Sequence, residues 1–275
     1  MGVPMLKRSP ASVVLVTGCS SGVGGAICNL LAAGGATVYG GSRTTCAPSK
    51  WTHLPLDITE QGSVDAAVAE VVHRESRLDA LVACAGMGLA GSLEDTDDDE
   101  AKRQFDTNFF GTTRTIRAVL PFMRKQSSGK IVVIGSIGGL IGLPFVAYYS
   151  ASKFALDGLV EALRGEVAPF GIQATIVHPG DINTAFGANR VFGRNVGDAS
   201  AYQARFQDTL RFYAAQEQNG ASPQVLARKV QKLLAQRSLP ARIVVGTPLE
   251  KLGVSGKRYL PGRSFEYLMR KAYAP

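Results

Sequence analysis

Short runs of apolar residues recur along the chain, and between them apolar residues return at every third or fourth position. The apolar runs are predicted strands, and they lie at 12–17, 36–41, 78–86, 129–136, 172–180 and 241–246, with a shorter one within 53–58. Because these runs are nearly continuous in apolar residues, we expect strands that are covered on both faces, as in a parallel sheet.

The stretches with helical periodicity lie at 23–34, at 60–75 and from about 97 to 126. Strands that alternate with helices imply right-handed crossovers, so the pattern predicts an α/β fold with a doubly wound parallel sheet and helices on both faces. No linker, repeat or low-complexity tract interrupts the 275 residues, and the sequence therefore predicts a single domain over 1–275.

Two segments depart from this alternation. Residues 184–220 are rich in Gly, Asn, Arg and aromatic residues, and we expect them to form a flexible segment over the ligand site. The tail, 257–275, carries a short amphipathic pattern with Phe265, Leu268, Met269 and Ala272 on one face. We expect this face to pack on the chain's own fold or on a sister subunit, and contact with a membrane surface is the less favoured alternative because the pattern is short.

The charge balance is basic, with a net charge of +8 and a pI near 9.4. The Lys and Arg residues are scattered, and an acidic run, EDTDDDE at 94–100, opposes them. We interpret that run as a solvated helix start, where carboxylates suit the helix dipole. A nucleic-acid partner is not expected, since no basic stripe with interleaved aromatic residues is present.

The four cysteines show no paired spacing, and the three histidines are isolated from one another along the chain. The sequence therefore predicts no metal site and structural roles for the histidines. The first ten residues lack a long apolar run, and no run reaches the length of a membrane span, so a cytoplasmic location is expected.

A glycine-rich turn follows the first predicted strand. The stretch TGCSSGVGG at 17–25 places Gly18, Gly22 and Gly24 between that strand and the next helix. Glycines at this point leave room for a pyrophosphate at the helix N-terminus, and the context of strand, turn and helix is the one that a dinucleotide site requires. A glycine-rich turn without a ligand is the alternative.

The end of the second strand predicts which dinucleotide binds. An NAD site places a carboxylate there, whereas an arginine suits the 2′-phosphate of NADP. The chain has YGGSRTT at 39–45, with Ser42 and Arg43 and no acid nearby. We therefore expect NADP(H) rather than NAD(H), although a solvated arginine without a ligand fits the same residues.

A tyrosine and a lysine stand four positions apart in YYSASK at 148–153. In a helix Tyr149 and Lys153 lie one turn apart on the same face. A neighbouring cation favours the phenolate, which lowers the pKa of the phenol and suits it to acid–base catalysis. On these six residues alone, an ordinary amphipathic helix with one packed and one solvated side chain is the favoured interpretation, because such pairs are common on helix surfaces.

Taken together, the motifs resemble those of the short-chain dehydrogenase/reductase family over nearly the whole chain. They are TGCSSGVG at 17–24, LDI at 56–58, TNFFG at 107–111, GS at 135–136, YSASK at 149–153 and HPGDINT at 178–184. Their order and spacing are specific as a set. The resemblance implies a Rossmann-type fold with a further long helix at about 148–170, and it favours the catalytic interpretation of Tyr149 and Lys153.

The resemblance also implies roles for individual residues. Tyr149 exchanges a proton with the substrate oxygen, Lys153 lowers its pKa and binds the nicotinamide ribose, Ser136 polarises the substrate oxygen, and Asn108 holds a water in the proton relay. Asp57 lies by the adenine, and Ile182 and Thr184 lie by the carboxamide. The implied cofactor-binding residues are Gly18, Ser20, Ser21, Gly22, Val23, Gly24, Ser42, Arg43, Asp57, Ala85, Gly86, Tyr149, Lys153, Pro179, Gly180, Ile182 and Thr184.

One position departs from the family pattern. Members usually carry Asn-Ala-Gly after the fourth strand, where this chain has Cys84-Ala85-Gly86. The amide that ties this strand to its neighbours is missing, so either a neighbour or water compensates for it or the cofactor site is looser. We expect the Cys84 thiol to be buried and inert rather than reactive.

The variable segments predict an apolar substrate pocket. The residues expected to form it are Leu140, Leu143, Pro144, Phe145, Phe186, Val191, Phe192, Tyr202, Phe206, Phe212 and Tyr213. The end of the chain, LPGRSFEYLMRKAY at 260–273, resembles tails of the steroid- and retinoid-type branch of the family. The resemblance therefore implies NADPH-dependent interconversion of a hydrophobic ketone or aldehyde and its alcohol.

Two alternatives stay open. A 3-oxoacyl-thioester reductase uses the same catalytic residues, and a regulator that binds NADPH without turnover shares the fold. Family members associate through their long fourth and fifth helices, so a homodimer or homotetramer is expected.

Overall fold

The computed structural model describes residues 12–47 and 49–273, of which residues 272 and 273 are described by their backbone alone. The expectation for the first ten residues and the position of the Ala272 side chain lie outside the described residues. The strands are β1 Val13–Thr17, β2 Thr37–Ser42, β3 Thr52–Pro55, β4 Ala80–Ala83, β5 Leu89–Ala90, β6 Gly129–Ile134, β7 Ile172–Pro179, β8 Val191–Phe192 and β9 Arg242–Val245. The helices are α1 Gly22–Ala33, α2 Gln61–Glu75, α3 Asp98–Phe105, α4 Thr112–Lys125, α5 Ala147–Val167, α6 Gln203–Gln218, α7 Pro223–Ala235, α8 Pro248–Tyr259 and α9 Gly262–Tyr273.

The main sheet confirms the predicted doubly wound architecture. Seven strands pair in the order β3-β2-β1-β4-β6-β7-β9, and every pair is parallel. The strand order reverses between β1 and β4, which opens a crevice at the carboxyl ends of the strands. Each predicted apolar run supplies one strand of this sheet, with its ends moved by one to three residues.

Two apolar clusters cover the two faces of the sheet. Val13 and Leu15 of β1 face the cluster that α2, α4 and α5 complete, whereas Val14 and Val16 face the cluster of α1 and α7. Successive side chains of a strand point to opposite faces, so a strand buried on both faces has to be apolar at every position. This is the physical reason that β1 is apolar from Val13 to Val16.

The helical stretch predicted at 97–126 is continuous but changes its hydrogen bonding in the middle. Asp97 caps α3 in a capping box with Glu100, whose carboxylate is buried rather than solvated as predicted. Between α3 and α4 the residues Asp106–Gly111 form a π-helix. A π-bulge adds one residue to a turn and commonly marks a functional site.

The segment at 184–220 contains more regular structure than its composition predicts. It includes β8, which pairs with β5 in a small parallel sheet, and the sixteen-residue helix α6. Phe206 of α6 is buried and packs against Phe145 with 5.6 Å between ring centroids. The prediction that these two side chains line the substrate pocket is wrong, because they anchor α6 to the rest of the domain.

The tail folds back over the carboxyl edge of the sheet. Phe265, Leu268 and Met269 of α9 line the cavity described below, so this face of the predicted amphipathic pattern lies against the chain's own fold. Over residues 12–47 and 49–273, no helix has both the length and the apolar content that crossing a membrane requires.

Candidate active site

A cavity of about 1520 Å³ opens at the carboxyl ends of the central strands. It brings together every residue that was predicted to bind the cofactor, from the glycine-rich turn after β1 to the residues that follow β7. It also brings in three of the four predicted catalytic residues, Ser136, Tyr149 and Lys153. The fourth, Asn108, is fully buried behind the cavity wall. The motifs that lie far apart in sequence therefore form one site.

The glycine-rich turn is shaped by close backbone contacts. Gly18 has φ +73°, and a Cβ there would lie 2.7 Å from the Cα of Ala85. A Cβ at Gly24 would lie 2.1 Å from the carbonyl oxygen of Gly18. Side chains at either position would fill the turn, so the backbone N–H groups at the start of α1 stay accessible to an anion. The turn therefore fits the pyrophosphate of a dinucleotide.

At the end of β2 the two predicted cofactor residues differ in their contacts. The side chain of Arg43 is exposed at the cavity wall, and its charge acts on Asp57. The hydroxyl of Ser42 is buried, donates to Thr44 O at 2.8 Å and lies 3.0 Å from His53 Nε2. Ser42 thus shapes the turn, while Arg43 remains available for a phosphate.

Asp57 is held in place by its own turn. Its carboxylate accepts from the backbone N–H of Thr59 at 2.9 Å and from the hydroxyl of Thr59 at 2.7 Å. Burial raises the pKa of Asp57, but these bonds and Arg43 outweigh burial and hold the pKa below its ordinary value. The carboxylate is therefore charged at neutral pH.

Three predicted catalytic side chains meet at the cavity wall. Tyr149 and Lys153 lie on α5, with the Lys153 ammonium 5.8 Å from the centroid of the Tyr149 ring, and the Ser136 hydroxyl acts to lower the pKa of the phenol. Ser136 follows β6, and its hydroxyl also accepts from the backbone N–H of Gly138 at 3.0 Å. The ammonium donates to the carbonyl of Ile134 at 3.0 Å.

The pKa values in this cluster differ from the sequence expectation. Burial raises the pKa of Tyr149, and it outweighs the lowering effects of the Ser136 hydroxyl and of Arg190. Burial also lowers the pKa of Lys153 to about 8. Desolvation disfavours both charged forms, so the net shift of the Tyr149 pKa is upward even beside a cation that favours the phenolate.

Asn108 is positioned by the π-helix. Its carbonyl accepts from Met87 N at 2.8 Å, and its amide donates to Met87 O at 3.0 Å and to Ser152 Oγ at 3.1 Å. These bonds join the strand end after β4 to α5, which carries Tyr149. A Cβ on Gly86 would lie 3.2 Å from the Asn108 carbonyl oxygen and 3.8 Å from the Lys153 ammonium, so Gly86 adjoins both side chains.

Cys84 stands where the family usually has an asparagine whose amide joins neighbouring strands. A threonine hydroxyl supplies part of that hydrogen bonding here. The backbone N–H groups of Cys84 and Ala85 both donate to Thr17 Oγ1 at 3.1 Å. Thr17 is buried at the end of β1, so the two strands that flank the crevice are joined through its side chain. Burial raises the pKa of Cys84 to about 12, and the thiol is therefore neutral at physiological pH.

Behind Ser136 lies a charged network that the sequence did not indicate. His178 is fully buried, with Nδ1 2.8 Å from the carbonyl of Ser136 and Nε2 2.9 Å from Asp157. Arg242 of β9 pairs with the same carboxylate. The network fixes the strand end that carries Ser136, which agrees with the predicted structural role of His178.

The structure corrects the expectation that the cysteines and histidines are isolated. The ligand atoms of Cys19, Cys46 and His53 all lie within 4.8 Å of one another, beside Ser42. The hydrogen bond with Cys28 lowers the pKa of Cys19 to about 6, against burial, which raises it. Three different segments supply these atoms, so no spacing along the chain could indicate the cluster.

Besides the predicted cofactor residues, the cavity is lined by apolar and acidic side chains. The predicted pocket residues that line it are Leu143, Phe186, Val191, Phe212 and Tyr213. The predicted residues Leu140, Pro144, Phe145, Phe192, Tyr202 and Phe206 do not line it. Helices α8 and α9 contribute Leu249, Leu252, Tyr259, Phe265, Leu268 and Met269 instead, and Leu260 between the two helices also lines the cavity.

Three acidic residues and one arginine complete the cavity lining. None of them is among the predicted site residues. They are Asp181, Glu217, Glu250 and Arg190. Asp181 lies inside the motif HPGDINT, which offered a signal, but Glu217 and Glu250 come from distant helices. Burial, together with the charges of Glu250 and Glu217, raises the pKa of Asp181 to about 6.

Comparison with known proteins agrees with the fold. The model of the short chain dehydrogenase family matches residues 12–193. The chain belongs to the short-chain dehydrogenase/reductase family, as its motifs predict, and is an oxidoreductase that acts on CH–OH or C=O groups with a nicotinamide cofactor.

Among individual relatives, the chain is 40% identical over 263 residues to 3-ketodihydrosphingosine reductase of Bacteroides thetaiotaomicron, covering 95% of this chain and 98% of that one. It is also 40% identical over 192 residues to human 17-beta-hydroxysteroid dehydrogenase type 1, covering 64% of this chain and 58% of that protein. A solved short-chain dehydrogenase from Streptomyces avermitilis superposes with a TM-score of 0.81 at 34% identity, covering 95% and 96% of the two chains. The steroid dehydrogenase agrees with the predicted resemblance to the steroid- and retinoid-type branch.

Proposed function

We propose that this protein is an NADPH-dependent reductase of a long-chain ketone whose chemistry is that of 3-ketodihydrosphingosine. The observation that carries the proposal is the combination of Tyr149 and Ser136 in one cavity with a long apolar lining. The relative named for that substrate matches the chain nearly from end to end, which supports the same class. A long alkyl chain suits the apolar side chains that α8 and α9 contribute.

The protein's own residues supply the cofactor site and the proton. The turn that contains Gly18 and Gly24 holds the pyrophosphate, and Arg43 pairs with the 2′-phosphate. When bound, the nicotinamide supplies the hydride that the carbonyl carbon accepts.

Ser136 orients the carbonyl oxygen, and Tyr149 donates its phenolic proton to it. Because the pKa of Tyr149 is raised, the phenol is protonated at neutral pH and is ready to act as the acid in reduction. A proton from solvent then restores the phenol, so each turnover consumes one proton and one hydride.

We further propose that the enzyme is cytoplasmic and forms a homodimer or homotetramer. The family resemblance supports association through the helical stretch at 97–126 and through α5, whose exposed surfaces include Phe110 and Phe154. Size-exclusion chromatography with light scattering tests this, and a monomer at micromolar concentration would contradict it.

Turnover is tested by NADPH consumption with 3-ketodihydrosphingosine, an apolar ketone, an apolar aldehyde and a 3-oxoacyl thioester. The proposal predicts the highest kcat/KM for the long-chain keto compound. Faster reduction of the thioester would favour the alternative reductase, and NADPH binding without turnover would favour a regulator.

Cofactor choice is tested by titration with NADPH and NADH. Loss of a charge-assisted contact in Arg43→Ala is expected to weaken NADPH binding by about tenfold to a hundredfold while NADH binding changes little. Tighter binding of NADH than of NADPH by the wild type would contradict the assignment.

A further inference from the structure

Acidic side chains gather near Tyr149 in a cavity that is otherwise apolar. Asp181 and Glu217 both line the cavity, and the charges of both act on the Tyr149 phenol. Glu217 forms an ion pair with Arg190, whose guanidinium lies over the ring of Tyr213. The Glu217 carboxylate therefore already has a cationic partner, Arg190.

The contacts of Asp181 involve its backbone. Its N–H donates to Glu250 Oε1 at 2.7 Å, and its carbonyl accepts from the N–H of Ala221 at 2.9 Å. Within the ranges that the structure describes, its carboxylate has neither a hydrogen bond nor an ion pair. The side chain is half-buried, so the structure presents a carboxylate without a direct partner at the cavity wall.

Close packing holds this segment on both sides. A Cβ on Gly180 would lie 2.0 Å from Glu250 Oε1, and a Cβ on Gly220 would lie 2.7 Å from the carbonyl carbon of Asp181. The turn after β7 is thus clamped between the N-terminus of α8 and the segment after α6. The backbone that carries Asp181 is therefore held in place at the cavity wall.

The chemistry of the proposed substrate matches this arrangement. 3-Ketodihydrosphingosine is a long-chain ketone with an amino group on the carbon next to the carbonyl. When Tyr149 and Ser136 hold the carbonyl oxygen, the ammonium lies only two bonds from the carbonyl carbon. Asp181 and Tyr149 line the same cavity, so the ammonium of a ketone bound at the phenol lies in the cavity whose wall carries the Asp181 carboxylate. A buried ammonium requires a partner of opposite charge.

We propose that Asp181 is the counter-ion for the ammonium group of an α-amino ketone and thereby selects this substrate class. The inference rests on the proposed function and deepens it, because it separates amino ketones from neutral ketones and from 3-oxoacyl thioesters. The apolar side chains of α8 and α9 accept the alkyl chain, and Asp181 accepts the charged head. The acidic neighbours Glu217 and Glu250 add to the negative potential, and Arg190 opposes it.

The test uses Asp181→Asn, which removes the charge and keeps the shape. It compares kcat/KM for 3-ketodihydrosphingosine, for its N-acetyl derivative and for a ketone of equal chain length without the amino group. Loss of a charged hydrogen bond is expected to lower kcat/KM for the amino ketone by about tenfold to a hundredfold. The two neutral ketones make no ion pair with Asp181. Their kcat/KM is therefore expected to change by less than about threefold.

The matched control is Asp198→Asn, a carboxylate that is exposed and does not line the cavity. It is expected to leave all three substrates unchanged. An equal loss on the charged and neutral ketones in Asp181→Asn would overturn the inference, because it would indicate a structural role. A wild-type enzyme that prefers the N-acetyl or amino-free ketone would overturn it as well.

A binding measurement separates this inference from the proposed function. A short-chain analogue of dihydrosphingosine is titrated into the NADP-bound protein below its micelle concentration, and the thermal midpoint is recorded. The inference predicts stabilisation of the wild type that is lost in Asp181→Asn and kept in Asp198→Asn. If no ketone is turned over, the proposed function fails, but amine-dependent stabilisation would still support the Asp181 site. Equal stabilisation of the wild type and Asp181→Asn, or none in either protein, would overturn the inference.

Discussion

The Thr17 hydroxyl is predicted to hold the two strands that flank the cofactor crevice. Its oxygen accepts from the N–H groups of Cys84 and Ala85, both at 3.1 Å. Thr17→Val keeps the branched shape and removes this acceptor. The side chain is 2% exposed, so water has little access to the bonds that would be lost.

The magnitude follows from these two donors. Each half-buried N–H that loses its acceptor costs about 1–2 kcal/mol, and the added methyl group offsets about 0.8 kcal/mol. We therefore expect Thr17→Val to lower the free energy of unfolding by about 2 kcal/mol. With a urea m value of about 3 kcal/mol/M for a chain of this size, the midpoint falls by roughly 0.7 M.

Two measurements distinguish the lost hydrogen bonds from altered packing. Thr17→Ser keeps the hydroxyl and loses one methyl group, which costs about 1 kcal/mol, and it serves as the control. Hydrogen exchange is expected to show faster exchange at the amides of Cys84 and Ala85 in the valine variant and unchanged protection in the serine variant. NADPH affinity should fall with the valine, because Ala85 lines the cavity. Preserved amide protection and affinity in Thr17→Val would refute the reasoning.

Three further outcomes are expected. Gly24→Ala should abolish NADPH binding in a folded protein, because its Cβ would lie 2.1 Å from the Gly18 carbonyl; a nucleotide titration checks this, and unchanged affinity would contradict it. Burial lowers the pKa of Lys153 to about 8, so the lysine loses its proton as pH rises. The kcat/KM for reduction should therefore fall through about pH 8. A profile that stays flat there would count against a role of the Lys153 charge in reduction. His178 and Arg242 hold the pKa of Asp157 below its ordinary value despite burial, so its stabilisation is present at neutral pH and is lost as pH falls below about 4. Asp157→Asn should therefore lower the free energy of unfolding by about 1–3 kcal/mol at pH 7 and by less in acid, and a difference that stays constant with pH would exclude this linkage.

The sequence predicted the sheet well because the physical constraint on it is local. A strand covered on both faces must be apolar at every position, so β1, β4 and β6 are visible as continuous apolar runs. The cofactor turn was equally visible, since glycine is required where the backbone of Gly18 approaches Ala85. The catalytic residues followed from the order and spacing of motifs, and the cavity brings three of them together.

The features that were missed depend on three-dimensional contacts. The π-helix at Asp106–Gly111 has no distinct local pattern, because its residues also suit an α-helix. Asp181, Glu217 and Glu250 line one cavity only because α6 and α8 pack beside the turn after β7. The direction of the Tyr149 pKa shift depends on burial, which a spacing of four residues does not reveal.

The central claim is that Tyr149 supplies the proton for reduction of a long-chain ketone. The most direct measurement is NADPH consumption with 3-ketodihydrosphingosine by the wild type and by Tyr149→Phe, with Tyr148→Phe as the adjacent control. Removing a general acid is expected to lower kcat by about 10²- to 10⁴-fold, with NADPH affinity retained and the control unaffected. Wild-type turnover in Tyr149→Phe would contradict the account.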